Sequence, residues 1–256
     1  RVIDPSSGLD QITDIHVEAC KIVSLGAAPA GFTAVETIDA QGLVAAPGLV
    51  DLNVALREPG YSRKGSIASE TRAAAAGGVT SLCCPPKTKP VLDTSAVAEL
   101  ILDRAREAGN TKVFPIGALS KGLDGEQLAE LVALRDAGCV AFGNGLESFR
   151  NTRTLCRALE YAATFDLTVI FHSQDRDLAE GGLAHEGAVA SFLGLPGIPE
   201  TAETVALARD LLLVEQTGVR AHFSQLTSAR GVALIAQAQA RGLKVTADVA
   251  LYQLIL

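Results

Sequence analysis

Chemistry has few places to reside in this 256-residue chain, which holds only four histidines, His16, His172, His185 and His222. His172 closes the apolar run "VIFHSQD" with Asp175 three residues on, so an imidazole and a carboxylate there could move a proton as general acid and base. Arg57 in "LREPG" and Lys87 in "PPKTKP" could hold a small anion. In "DLNVALREPG" the i, i+2 spacing of a strand points Asn53 and Ala55 to one face, yet neither position carries an imidazole or a carboxylate. His16, His185 and His222 read as structural: His16 and His222 on strand faces, His185 in "LAHEG" at a helix start.

The elements that must position these residues alternate regularly. After Pro47-Gly48, apolar runs at 49–54, 79–84, 112–118, 139–143, 167–172, 219–225 and 244–249 predict seven strands. Helical periodicities separate them, among them "TSAVAELILDRAREAG", with Thr94 or Ser95 as N-cap and Gly109 as stop, and "GEQLAELVALRDAG", ending at Gly138. The longest connection, between the fifth and sixth strands, predicts two helices around "GLPGIP". Seven evenly spaced βα units, with no glycine-rich phosphate turn after the first strand, favour a (β/α)8-type barrel over an open doubly wound sheet. Residues 1–47 alternate short β runs with turn clusters and predict a small β-rich domain; 48–256 form the barrel. The chain stops just past the seventh strand, so the expectation is a barrel lacking its last unit and the C-terminal segment.

Composition narrows the partners. A net charge of −7, with no basic run, argues against general nucleic-acid or anionic-membrane binding. No apolar run of transmembrane length and no leader is evident, which places the expectation in the cytoplasm. The five cysteines, at 20, 83, 84, 139 and 156, show no C-x-x-C spacing and read as reduced core thiols.

Read at the strand ends, the chain resembles the dihydroorotases of the amidohydrolase superfamily over essentially its whole length. The resemblance rests on "LREPG", "TKP", "HSQD", "GLPGIP" and the opening "IDPSSGLD". It implies a metal-dependent-hydrolase barrel whose members read D-x-H-V-H-x-R-E-P-G on strand one and bind zinc through that H-x-H pair. Here those positions are Asn53 and Ala55. Asn144 and Gly145 stand where family sequences carry acids, and Gln225 stands at the second histidine of H-x-x-H-V-S; His172 alone keeps the expected ligand type. The family arginine that holds a substrate carboxylate is retained as Arg57, while its asparagine partner is Lys87.

A catalytic zinc needs about three donors from Cys, His or carboxylate. One imidazole does not suffice, so no zinc and no other cofactor is expected, and a packed or hydrogen-bonded role is favoured for His172. For Arg57 an ion pair with Glu58 or a loop acid is favoured over anion binding. The function so implied is that of a catalytically inactive dihydroorotase homologue, a structural subunit that forms a hetero-oligomer with the aspartate carbamoyltransferase catalytic chain in pyrimidine biosynthesis. Two alternatives stay open: an active cyclic amidohydrolase using His172 and Asp175, and a small-anion sensor using Arg57 and Lys87.

Overall fold

The computed structural model describes residues 1–149 and 151–255. The chain divides into two compact units, 1–49 and 50–256, two residues beyond the division expected from sequence texture. In the first unit β1 (Val2–Asp4) pairs antiparallel with β2 (Leu9–Gln11), and β3 (Ile15–Glu18) with β4 (Lys21–Leu25). Asp4 shapes the first turn by accepting from Ser6 N at 3.0 Å, the local carboxylate-to-backbone bond that makes Asp a turn residue. His16 is not a plain strand-surface residue: it is half-buried, with its ring edge-on to Phe32 at 5.2 Å.

From the division onward, with β5 beginning on the last residue of the first unit, the chain runs β5 (Leu49–Asp51), α1 (Ile67–Ala76), β6 (Val79–Cys84), α2 (Ser95–Ala108), β7 (Lys112–Ala118), α3 (Leu131–Asp136), β8 (Ala141–Gly143), α4 (Thr152–Thr164) and β9 (Thr168–Phe171). A longer excursion follows, with α5 (Arg176–Ala179), β10 (Ala184–His185), α6 (Ala188–Phe192) and β11 (Gly197–Ile198). The chain then resumes with α7 (Glu200–Thr217), β12 (Arg220–Phe223), α8 (Ala229–Ala240), β13 (Val245–Ala247) and α9 (Leu251–Ile255). Seven strands form one sheet in the order β13-β12-β9-β8-β7-β6-β5, and the pairs from β6 through to β13 are parallel. That is the strand-helix alternation of a (β/α)8 barrel with seven of its units present.

Alternation along each strand builds two layers. Val169 and Phe171 on β9, with Ala221 and Phe223 on β12, turn outward into the large core shared with the helices, where the two phenyl rings stack at 5.0 Å. Ile170 turns to the other face with Cys83, Ile116 and Ala141, forming a small apolar cluster on the barrel's inner side. Residues two further along the inner face of each strand are therefore delivered to the sheet's C-terminal rim. This is how His172 and Ser224 reach the site.

The expected strands at 79–84 and 112–118 are observed in full; the other five are shorter. The expected helix over 125–138 is only α3, because Gly125 adopts φ +76° and Ala129 N bonds back to Leu119 O at 3.0 Å, holding the first half of that run as an irregular loop. Thr94 is the N-cap of α2 by backbone, without a side-chain capping bond, and Gly109 ends it in the left-handed conformation. The fifth-to-sixth connection holds three helices rather than two, and His185 lies in β10 rather than at a helix start. Of the thiols, Cys83, Cys84 and Cys139 are buried and Cys156 is half-buried. Cys20 is exposed, in the tight β3–β4 turn at φ +61°, so it is not a core residue.

Candidate functional site

A cavity of about 470 Å³ opens at the C-terminal ends of the sheet's strands. It brings together Asn53, Ala55, Arg57, Lys87, His172 and Gln225 from four separate segments. Asn144 is not among its walls, although Gly143 and Gly145 on either side are. Its side chain is turned away and buried: Oδ1 accepts from Ser120 N at 3.1 Å, and Nδ2 donates to Ser120 Oγ at 2.9 Å and reaches Leu123 O at 3.5 Å. The amide has become part of the scaffold under the loop after β7.

The walls do not suit zinc. His172 supplies an imidazole whose Nδ1 is buried without a hydrogen-bond partner, and burial pushes its pKa below the usual histidine value, so the ring is held neutral. Asn53 and Gln225 offer only neutral amides, and Ala55 nothing. Cys84 also lines the cavity, but burial pushes its thiol up to about 12, far from the thiolate a metal binds. Among the described residues no group of three or more His, Cys, Asp and Glu side chains is placed to hold a metal.

The other candidate roles are redistributed too. Asp175 caps α5, accepting from Asp177 N at 3.1 Å and Leu178 N at 3.0 Å, and is not in the cavity wall, so the acid-base pair with His172 is not assembled. Lys87 is tied to Glu147 at 2.7 Å, joining the loop after β6 to the loop after β8. Arg57 departs from expectation: it has no ion pair among the described residues, because Glu58 instead accepts from Ile67 N at 3.0 Å at the start of α1. Arg57 sits at φ +66°, a left-handed backbone that few non-glycine residues adopt.

Two polar clusters behind the cavity escape a reading of motifs. On adjacent β12 and β13 the register places His222 opposite Thr246, and His222 bonds Thr246 Oγ1 at 2.8 Å and Asp248 Oδ2 at 3.0 Å. Asp248 also accepts from Gln225 N at 2.5 Å, fixing that residue at φ +60°. The i, i+2 spacing of Thr246 and Asp248 at the end of a strand was the available signal. The second cluster is Asp210 on α7, almost fully buried, which accepts from Ser173 Oγ at 2.8 Å and from Arg209 Nε and Nη2 at 2.9 and 2.8 Å. It anchors the residue next to His172. Nothing in a helical "ARD" marks that role; only the fold does.

The chain is a strand-helix barrel with a cavity at its rim, and solved structures agree on that fold. L-hydantoinase from Arthrobacter aurescens superposes with a TM-score of 0.79 at 23% identity, over 98% of this chain and 56% of that one. D-hydantoinase from Thermus sp. gives 0.76 at 19%, over 100% and 57%. The family model described as dihydro-orotase-like matches residues 42–230, and the chain belongs to that family. It is 81% identical over its whole length to a dihydroorotase-like protein of Pseudomonas putida and 80% to one of Pseudomonas aeruginosa. It is 46% identical, over 98% of its length, to a dihydroorotase of Syntrophobacter fumaroxidans. The chain spans about 60% of the length of these relatives. Among the described residues no helix is long and apolar enough to cross a membrane.

Proposed function

We propose that this chain belongs to a catalytically inactive relative of dihydroorotase that acts in the cytoplasm as a structural subunit, assembling with and stabilising aspartate carbamoyltransferase in pyrimidine biosynthesis. The observation that carries the inactive reading is the donor set of the rim cavity: one neutral imidazole, two amides and an alanine where a catalytic zinc requires about three imidazole, thiolate or carboxylate donors. Without a Lewis acid or a paired general base, neither a water nucleophile nor the developing oxyanion of an amide is stabilised. The active-hydrolase alternative also loses its acid, since Asp175 is a helix cap. Anion binding keeps one supporting observation, Arg57 in the cavity wall, which has no ion pair among the described residues; Lys87 is already neutralised by Glu147.

The partner follows from the resemblance together with the retained core, since a rigid barrel without chemistry still offers a surface. The full-length protein, after mild dialysis, is expected to hold well under one zinc per chain by elemental analysis and to turn over neither dihydroorotate nor carbamoyl-aspartate. Co-expressed with the carbamoyltransferase catalytic chain, it is expected to co-elute on size exclusion and to raise that enzyme's activity or thermal stability by mass action. Stoichiometric zinc with turnover overturns the first half. Separate elution with a fully active transferase alone overturns the second.

A further inference from the structure

The rim cavity carries an unbalanced charge. Among the described residues three cations line it, Arg57, Lys64 and Lys87, and no carboxylate does. A counter-charge comes from outside the wall: Glu147, on the loop after β8, reaches Lys87 at 2.7 Å. Because β7 stands between β6 and β8 in the sheet, this pair crosses the end of a whole strand. The same loop is fastened on its far side, where Ser148 Oγ donates to Gln174 O beyond β9. Below the loop the chain is fixed: a Cβ at Gly143 would meet Ile170 O at 2.6 Å, and the Asn144 amide is locked on Ser120. Gly145 follows at φ +61° with open space around it, a glycine kept for its conformation, and Leu146 lines the cavity while 54% exposed. Residues 145–148 are thus held down by polar fastenings more than by packing.

We propose that Glu147 is a built-in counter-anion of the rim cavity: it holds Lys87 in the place of a ligand, and a small carboxylate entering the cavity opens the 145–148 strap by displacing Glu147 from Lys87. Lys87 exchanges one carboxylate for another, so the step needs no proton transfer and leaves no ammonium without a partner. The strap is weak enough to yield. Its two side chains are 53% and 40% exposed, and pairs so open to water hold an equilibrium by no more than about 5-fold. The cavity also favours the incoming anion, since Arg57 and Lys64 have no ion pair among the described residues and draw negative charge to the same space. The device goes beyond the inactive reading and does not depend on it, because it needs neither metal nor turnover.

The test is calorimetric titration of the full-length protein with succinate, comparing the wild type, Glu147→Gln, Lys87→Gln and the double variant. Glu147→Gln is expected to bind succinate about 5-fold more tightly than the wild type. That gain is expected to vanish in the Lys87→Gln background, because the freed ammonium is what the ligand takes. A gain that persists without Lys87 is only the field of one charge removed, and it overturns the proposal; so does equal or weaker binding by Glu147→Gln, or no binding of succinate by either protein. Hydrogen exchange reads the strap itself, whose turn is closed by the bond from Glu147 N to Asn144 O at 3.1 Å. A ligand that merely fills the cavity slows exchange over residues 144–148, whereas displacement of Glu147 is expected to speed it in the wild type to the rate of Glu147→Gln. Slower exchange there on binding means that the strap stays shut, and the proposal fails. If the glutamine variant melts at a lower temperature than the wild type, Glu147→Ala carries the same comparison.

Discussion

Asn53→His combined with Ala55→His is expected to tighten zinc binding by more than about 100-fold over the wild type, since even a group standing behind a metal ligand is worth 10–100-fold, and yet to restore no turnover. Both positions line the cavity with His172, so the double variant has three neutral imidazoles, enough donors to retain a metal. What it still lacks is anionic charge. Asn144 is turned into the bond network of Ser120, and Gln225 stays an amide whose backbone N–H is held by Asp248, so among the described residues no carboxylate lines the cavity to balance the ion or to take a proton. Chelator competition reads the affinity, and the ultraviolet absorbance of dihydroorotate reads the turnover. No gain in zinc affinity means that residues 53 and 55 do not converge on His172. Turnover by this variant means that the chemistry never depended on the acid and the last histidine.

The second large effect lies at Asp210. Asp210→Ala is expected to cost about 3 kcal/mol in urea unfolding, the low end for breaking a buried ion pair. It strands Arg209 and the buried Ser173 hydroxyl together. Asp210→Asn keeps an acceptor for Arg209 and a partner for Ser173, and is expected to cost less than about 1 kcal/mol at neutral pH. Burial raises the Asp210 pKa more than Arg209 and Ser173 lower it. A carboxyl whose folded pKa lies above its unfolded value contributes stability that is fully present below the unfolded value, ~4, and is lost as pH rises through the folded one. The asparagine variant should therefore compare better with the wild type at pH 7 than at pH 4. An alanine variant as stable as the wild type, or an asparagine variant that fares worse with rising pH, contradicts this account.

Much of this architecture is written in local patterns. The runs at 79–84 and 112–118 alternate within long apolar stretches and fold as read, and Gly109 stops α2 because a left-handed residue is needed there. The cavity is legible for the same reason, since strand-end residues two apart share a face: Asn53, Ala55, His172 and Gln225 do line one space. What escaped depends on contacts distant in the chain. The 125–138 run has a helical period, but Gly125 and the bond from Ala129 to Leu119 hold its first half in another conformation. Asp175, three residues from His172, looks like its partner until the chain turns and spends that carboxylate on the N-terminus of α5. Lys87 and Glu147 lie sixty residues apart, and nothing near either predicts their pairing.

The inward turn of Asn144 also has an evolutionary reading. With its amide in the Ser120 network, the position is poorly suited to carry a carboxylate. A carboxylate there would face the Leu123 carbonyl without the amide's donors, in a place almost closed to water, and would lose stability before any histidine returned. On the inactive reading proposed above, recovering a working site would demand simultaneous change at residues 53, 55, 144 and 225, with the carboxylate-bearing intermediates losing stability.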